Sequence, residues 1–326
     1  MKTMQWLIKR ELWEHKGMVL WTPVVVGAVM TLLAAIMLTF AASNDAMHAT
    51  LTINGQRGSI NQLIVNALGN ANRGATAEMM GASYVAAAAP LFLMLGALVF
   101  FYCLGTLYDE RRDRSLLFWK SLPVSDAQTV LSKAALALAV LPLISIAVGA
   151  LASLLMLLML CALLATHGVN LFGHLLGTPD LYLTPLRLLA LLPVYILWAL
   201  PTVGWLLMVS AWARSKALLW AVGTPLLTGL LVTWIEKSFA LTYIIDWFMR
   251  EVVGRALLGV VPGFWFMLDK VNQQGVTSPK GPALTSADLL VHSWATLGNP
   301  GVWVGAAAGA AMIYAAIKLR QTHAEI

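Results

Sequence analysis

Charged side chains are scarce in this sequence, and their scarcity excludes a water-soluble globular protein. Asp, Glu, Lys and Arg together make up 11% of the 326 residues, whereas hydrophobic residues make up 60%. A soluble domain carries about 25% charged and roughly 45–50% apolar residues. Lipid is therefore expected to surround much of the chain. Because a backbone in lipid must satisfy its own hydrogen bonds, only helices or a closed barrel can span, and the long continuous apolar runs favour helices.

Motifs for catalysis and nucleotide binding are also absent. The sequence contains no G-x-x-x-x-G-K-[ST] loop to hold ATP phosphates, no H-E-x-x-H motif and no G-x-S-x-G motif. Its only cysteines, Cys103 and Cys161, lie in apolar runs, which indicates packing rather than a disulfide or a thiolate metal site. None of the six histidines has the spacing of metal ligands. We therefore expect no catalytic, cofactor-binding or metal site in this chain.

Six apolar stretches are long enough to cross a membrane as helices, given that about 20 residues cover a core of roughly 30 Å. They are predicted at residues 18–41, 84–107, 131–165, 186–211, 217–235 and 300–317. The first is longer than the apolar core of a signal peptide and is predicted to be a membrane anchor. The third is longer than one crossing requires and contains Pro142, so it is expected to tilt, kink or project. The sequence thus predicts an all-α integral membrane protein with a single transmembrane domain, residues 1–326.

Lysine and arginine indicate the orientation in the membrane, because dense positive charge in short loops marks the cytoplasmic side. With the N-terminus inside, the basic residues of that side are Lys2, Lys9, Arg10, Lys16, Arg111, Arg112, Arg114, Lys120, Lys133, Arg214, Lys216, Lys318 and Arg320. Those of the other side, spread over longer segments, are Arg57, Arg73, Arg187, Lys237, Arg250, Arg255, Lys270 and Lys280. Both termini are predicted to be cytoplasmic. The net charge of +6 is explained by this orientation, without a nucleic-acid partner.

Residues 1–17 are expected to form a helix on the cytoplasmic surface of the membrane. Met4, Leu7, Ile8 and Leu12 share one side of such a helix, although Glu11 interrupts that side.

Residues 237–299 form a predicted outer segment before the last span. Its first part, 239–268, is apolar but contains two pairs of opposite charge at i,i+4 spacing, Asp246–Arg250 and Glu251–Arg255. We expect interfacial or re-entrant helices there, because a seventh span would place the basic C-terminal residues outside.

The interiors of the six predicted spans contain no Asp, Glu, Lys or Arg, and Lys133 and Arg187 lie only at span ends. Ion-coupled transporters keep ionisable groups at membrane depth. We therefore expect that energy does not enter through the membrane core. An uncharged interior suits an amphipathic cargo, but the sequence identifies no substrate-binding residue.

Two residue patterns on the spans indicate packing. Trp198, Trp205 and Trp212 recur every seven residues on the fourth span, which predicts helix packing or lipid contact rather than a substrate wall. Gly305 and Gly309 form a small-xxx-small pair on the last span, which allows another helix to approach closely.

One dense polar motif lies between the second and third spans, at residues 108–126, and reads YDERRDRSLLFWKSLPVSD. Charged residues come first, an apolar patch follows, and the helix is expected to end by Leu122 because Pro123 comes next. Ser125 or Asp126 can then cap the third span.

This motif has two interpretations. The first is a juxtamembrane loop whose basic residues fix the topology and whose aromatic side chains enter the headgroup layer. The second is a short helix that docks on a soluble partner, with Phe118 and Trp119 as anchors.

The motif resembles the signature of ABC-2 type permeases, the membrane subunits of bacterial ABC exporters. In that signature an acidic and basic run leads through an apolar stretch to Pro-Val-Ser before the third helix. The residues that match it here are Glu110, Leu116, Pro123, Val124 and Ser125. Arg114 stands where many members have glycine, and Leu117 where many have glutamate. The arrangement of the whole chain is similar as well: an N-terminal surface helix, six spans, a polar first outer loop and an extended outer segment.

The resemblance implies a permease in the bacterial inner membrane that exports an amphipathic substrate and is not itself an enzyme. A separate cytoplasmic ATPase would bind ATP and Mg, and the 108–126 segment would be the coupling helix seated in a groove of that ATPase. The residues that the resemblance carries over as contacts with it are Asp109, Glu110, Arg111, Arg112, Leu116, Phe118, Trp119 and Leu122. Two permease copies, a homodimer in membrane lipid, would work with two ATPases.

Two functions from other classes stay open. One is a membrane-embedded enzyme that acts on lipid, and its candidate polar groups are Asp246, Arg250, Glu251 and Arg255. The other is a non-catalytic membrane scaffold.

Overall fold

The structure, a computed structural model, describes residues 2–43, 50–53, 56–59, 73–113, 124–166, 172–177, 179–239, 247–268 and 286–322. These residues are helical apart from short turns and one antiparallel hairpin, formed by β1 (Thr50–Ile53) and β2 (Gln56–Ser59). The predicted all-α membrane fold is therefore confirmed, with the hairpin as the exception.

The helices fall into long apolar rods and short connecting pieces. In chain order they are α1 (Lys2–Glu14), α2 (Thr22–Ser43), α3 (Arg73–Arg112), α4 (Asp126–Ala135), α5 (Leu141–Thr166), α6 (Phe172–Gly177), α7 (Pro179–Ala190), α8 (Leu192–Trp212), α9 (Ala217–Phe239), α10 (Arg255–Leu258), α11 (Trp265–Leu268), α12 (Ser286–Ala295) and α13 (Pro300–Thr322). Gly17–Trp21, Leu136–Val140 and Phe248–Gly254 are π-helical, and Thr296–Gly298 is a 3₁₀ turn.

Among the described residues, six helical stretches are long and apolar enough to cross a membrane, as predicted. They are Gly17–Phe40, Ala87–Arg112, Asp126–Leu163, Leu181–Trp212, Ala217–Ser238 and Pro300–Thr322. Several of them extend beyond the predicted bounds. Glu110, Lys133 and Arg320 consequently lie within the helices rather than at their margins or outside them.

The long third span is regular except at one π-helical turn. Ser125 begins it with a capping box: its Oγ accepts from the Gln128 N–H at 3.2 Å, and the Gln128 side chain accepts from the Ser125 N–H. The π turn Leu136–Val140 comes directly before Pro142. A proline ring collides with the carbonyl four residues earlier, and the wider turn gives it room. The distortion expected at Pro142 is therefore a local change of helical pitch.

Helices α8 and α13 pack together with their backbones in contact. A Cβ on Gly309 would lie 2.5 Å from the Leu200 carbonyl oxygen and 2.8 Å from the Pro201 nitrogen, so only glycine fits there. On Gly305 a Cβ would lie 2.8 Å from the Arg255 guanidinium. The close approach predicted for this glycine pair is confirmed.

The remaining spans differ in how far they are buried. Helix α3 packs against α8 and α5, and its Leu95 and Val99 are buried in the core. Helices α2 and α9 lie at the periphery and expose large apolar side chains such as Met37 and Leu230. A helix surface of this kind is suited to lipid rather than water.

The 247–268 segment consists of short helical pieces of seven, four and four residues. None is long enough to cross a membrane, in agreement with the prediction of six spans. The segment packs closely against α8 at Gly259. A Cβ on Gly259 would lie 2.5 Å from the Trp198 carbonyl oxygen, so a side chain would prevent this approach. Gly263 has a φ of +84°, a conformation that favours glycine, and it forms the turn before α11.

Candidate functional site

Six charged residues from α1, α3, α4 and α13 meet at one end of the bundle, and we call this group the ion cluster. Its members are Arg10, Glu11, Glu110, Asp126, Lys133 and Arg320. Three of the six carry a negative and three a positive charge, and the exposed Glu14 also lies 3.7 Å from Arg10. A buried charge without a partner would be costly, and opposite charges at hydrogen-bond distance offset part of that cost.

Lys133 is the centre of the ion cluster. Its ammonium nitrogen lies 2.9 and 3.0 Å from the two carboxylate oxygens of Glu11 and 2.9 Å from Glu110 Oε1. It also donates to the Thr106 hydroxyl at 2.8 Å. The Lys133 side chain is 1% exposed and that of Glu11 is 0% exposed. An ammonium with three donors is thus fully partnered inside the protein.

Arg320 joins the ion cluster to the ends of two other helices. Its Nη1 lies 2.6 Å from Glu110 Oε2, in the last turn of α3, and its Nε lies 2.9 Å from Asp126 Oδ1, the first residue of α4. In the sequence these two carboxylates lie just before and just after residues 114–123. One guanidinium therefore joins the end of α3 and the start of α4 to the last span.

Helix α1 is attached through the residue that interrupts its apolar side. Glu11 accepts from Arg10 at 2.7 Å and from the Tyr102 hydroxyl at 3.2 Å, in addition to its bonds with Lys133. Leu7, one turn earlier, is buried on the same side. The sequence predicted an apolar side disturbed by Glu11. In the structure that carboxylate is the group by which α1 binds the spans.

The charged residues at the end of α3 face in two directions. Glu110 belongs to the ion cluster, and Arg111 donates to the Ser210 and Ala213 carbonyls at 2.6 and 2.7 Å, at the C-terminus of α8. Cations are favourable there because the last carbonyls of a helix have no intrahelical partner. Asp109 and Arg112 are exposed. Of the four charged residues carried over as partner contacts, only these two present their side chains to the surroundings.

The apolar half of the predicted contact set lies outside the described residues. This applies to the side chains of Leu116, Phe118, Trp119 and Leu122. Their assignment to a partner interface stays a prediction.

A second polar group lies around Gly301, at the other end of α13. Gly301 is nineteen residues from Arg320, or about 28 Å along the helix. Arg255 is 4% exposed, pairs with Glu251 at 2.8 Å and donates to the Gly301 carbonyl. Its guanidinium carbon lies 4.5 Å from the Trp198 ring centre, a cation–π contact. The i,i+4 pairing predicted for Glu251 and Arg255 is confirmed, whereas Asp246 lies outside the described residues.

The three tryptophans of α8 all make packing contacts. Trp198 is buried and donates to the Thr296 hydroxyl at 3.1 Å. Trp205 donates to the Ala221 carbonyl at 3.0 Å, and Trp212 packs edge-on against Trp220. The prediction of packing is confirmed.

Within the described part of the chain, no three His, Cys, Asp or Glu side chains are placed to hold a metal ion. Cys103 and Cys161 are free and buried, as expected for packing residues. No protein-family model, curated protein or solved structure matches this chain.

Sequence reasoning missed the ion cluster because each of its members had a separate explanation. Lys133 and Arg320 were assigned to the positive charge of the cytoplasmic side, and Asp126 was considered as a helix cap. A usable signal was present in Glu11 and Lys133, since each is a charged residue on an otherwise apolar helix side and therefore requires a partner of opposite sign.

Proposed function

We propose that this chain is a permease subunit of an ABC transporter of the bacterial inner membrane. In this proposal a separate cytoplasmic ATPase hydrolyses ATP, and the permease moves an amphipathic substrate outward. Two copies of the chain work with two ATPase subunits, an arrangement that rests on the resemblance of the 108–126 segment to ABC-2 permeases.

The observation that supports this function best is that Arg320 binds both Glu110 and Asp126, which flank residues 114–123 in the sequence. A segment that receives force from a soluble partner must pass it to the spans through stiff connections. Glu110 and Asp126 provide such connections, because each is held by a charge-assisted bond of 2.6 or 2.9 Å. Through Lys133 the same network reaches α1 and the third span. A displacement of the segment would therefore move four helices together.

The charges at the edge of the segment support the same function. Asp109, Arg112 and Asp113 are exposed at the end of α3, next to residues 114–123 in the sequence. In the proposal they surround an apolar anchor made by Phe118 and Trp119, the usual arrangement of a central aromatic contact with a polar rim.

The lipid-acting enzyme is less well supported. Its candidate groups Glu251 and Arg255 are paired with one another, and Arg255 also contacts Gly301 and Trp198. These contacts account for both side chains as parts of the fold. Binding of an ATPase would distinguish a permease from a non-catalytic scaffold.

The proposal is tested by purifying the tagged chain from its native membranes in a mild detergent. We expect a protein with a G-x-x-x-x-G-K-[ST] sequence to co-purify, together with ATP hydrolysis. Phe118→Ala and Trp119→Ala should each lower the recovery of that protein about tenfold, as loss of one interface anchor does. Trp13→Ala is the matched control, because Trp13 is an exposed tryptophan on α1. Absence of such a protein would refute the proposal, and equal recovery with all three variants would refute the contact at Phe118 and Trp119.

Cross-linking locates the contact directly. The chain has two cysteines, so Cys103→Ala with Cys161→Ala gives a background in which Trp119→Cys is the only thiol. A bifunctional reagent should then join that thiol to the ATPase. A cross-link from Trp13→Cys of similar yield would show that the reagent does not distinguish the segment from the rest of the surface.

A further inference from the structure

An apolar cavity of about 350 Å³ lies between α3, α5, α7, α8 and the turn that precedes α11. Phe92, Ile146, Leu188 and Phe266 are among the hydrocarbon side chains of its wall. The cavity belongs to the half of the bundle that contains Arg255, and it is separate from the ion cluster.

The polar side chains of the cavity wall are already hydrogen bonded within the protein. The Tyr195 hydroxyl donates to the Val260 carbonyl at 3.2 Å, and the Trp265 indole donates to the Ser293 hydroxyl at 3.0 Å. A polar ligand would lose its bonds to water on entering and would find these groups occupied. The cavity wall therefore favours a hydrocarbon ligand over a polar one.

The size of the cavity calls for an occupant larger than water. Apolar cavities of about 150 Å³ stay dry and bind benzene. The space here is more than twice that size and is open on one side, so a hydrocarbon chain can enter it and make dispersion contacts with its lining. A volume of about 350 Å³ falls within the range of roughly 300–1,000 Å³ typical of small-molecule sites.

Close backbone contact shapes the wall of the cavity. Gly96 allows the 261–264 turn to approach α3, since a Cβ there would lie 2.6 Å from Val261 Cγ2. Gly263 provides the positive φ on which the turn depends. The turn and α3 thus enclose the space between them.

The cavity opens onto an exposed apolar surface of α3. Ala89 and Leu93 line it and are exposed, Leu93 by 65%, and both belong to the apolar span Ala87–Arg112. Leu95, Trp265 and Ser293, which also line the cavity, are buried. The space therefore leads from the exposed apolar surface of α3 into the protein.

We propose that this cavity binds one acyl chain of a bilayer phospholipid, whose headgroup stays outside it. In a bilayer, lipid supplies hydrocarbon at the exposed apolar opening. The apolar wall provides the dispersion contacts that a chain of methylene groups makes. The site is independent of any ATPase partner, so the permease proposal and this one can fail separately.

The test uses the purified chain in vesicles of phosphatidylethanolamine that contain a trace of the same lipid with a photoreactive acyl chain. After irradiation we expect the label to concentrate on peptides that contain Phe92, Leu188 and Phe266. Ile146→Trp fills the cavity and should lower this labelling about fivefold. Leu143→Trp is the matched control on α5, because Leu143 is 40% exposed and does not line the cavity.

A second filling variant, Leu188→Phe, should lower the labelling in the same way, and it keeps the test valid if the tryptophan variant does not fold. Equal labelling of the cavity peptides and of the exposed face of α9 around Leu230 would overturn the proposal. So would labelling that neither filling variant reduces. A photoreactive free fatty acid is the second probe, and if it displaces the phospholipid from these peptides at trace concentration, the phospholipid assignment is wrong.

Discussion

Glu11 and Lys133 form a buried ion pair although 122 residues of sequence separate them. The lysine nitrogen lies 2.9 and 3.0 Å from the two carboxylate oxygens, and neither side chain has appreciable exposure. The pair fastens the N-terminal helix to the third span. Its consequences for stability and for the neighbouring segment can be measured.

We expect Lys133→Met to destabilise the protein by about 3–5 kcal/mol, because it leaves Glu11 buried without its main cation. Thermal unfolding in detergent measures the effect. Lys9→Met is the control, since Lys9 is exposed on α1. If both variants unfold at the same temperature, the ion pair does not hold α1 in place.

Arg320→Gln should make residues 114–123 easier to cleave, because the end of α3 and the start of α4, which flank them, lose their common anchor. Trypsin can cut after Arg114 and Lys120, and the rate of those cuts should rise about tenfold if local opening becomes easier by roughly 1.4 kcal/mol. Lys318→Gln removes an exposed charge two residues away and should leave the rate unchanged. Equal rates in the two variants would contradict the anchoring role of Arg320.

Gly309→Ala should destabilise the bundle by about 1–3 kcal/mol, because a Cβ there meets the backbone of Leu200 and Pro201. Gly223→Ala on α9 makes the same change where no atom lies within 4 Å. That control should be neutral, or stabilising by up to about 1 kcal/mol from helix propensity. The unfolding temperatures of Gly309→Ala and Gly223→Ala measure the difference. If Gly309→Ala is as stable as the unchanged protein, α8 and α13 can move apart at little cost in free energy.

Arg111→Ala and Arg112→Ala should differ although the two residues are adjacent. Arg111 holds the Ser210 and Ala213 carbonyls, so its removal should cost roughly 1.5–3 kcal/mol of stability. Arg112 is exposed, and its removal should leave the unfolding temperature unchanged while weakening recovery of the proposed ATPase. The opposite pattern would mean that Arg111, rather than Arg112, serves the partner.

The sequence predicted the spans more accurately than their ends. The span predicted at 131–165 begins at Asp126 in the structure, where Ser125 forms its capping box. Hydrophobicity alone does not mark this start, because the first turns of the helix are polar and are stabilised by tertiary ion pairs. The same effect extends the second span to Arg112 and the last to Thr322.

Six apolar membrane-spanning helices could be predicted from the residues alone, because the length and apolar character of a helix are local properties of the chain. The close approach at Gly309 and the reach from Glu251 to Arg255 one turn later are local in the same sense. The meeting of Glu11 with Lys133, the bridge from Arg320 to Glu110 and Asp126, and the cavity beside α3 emerge only from the folded arrangement. Such pairings depend on which helices become neighbours, and that choice is made by the packing of whole surfaces rather than by any local pattern of residues.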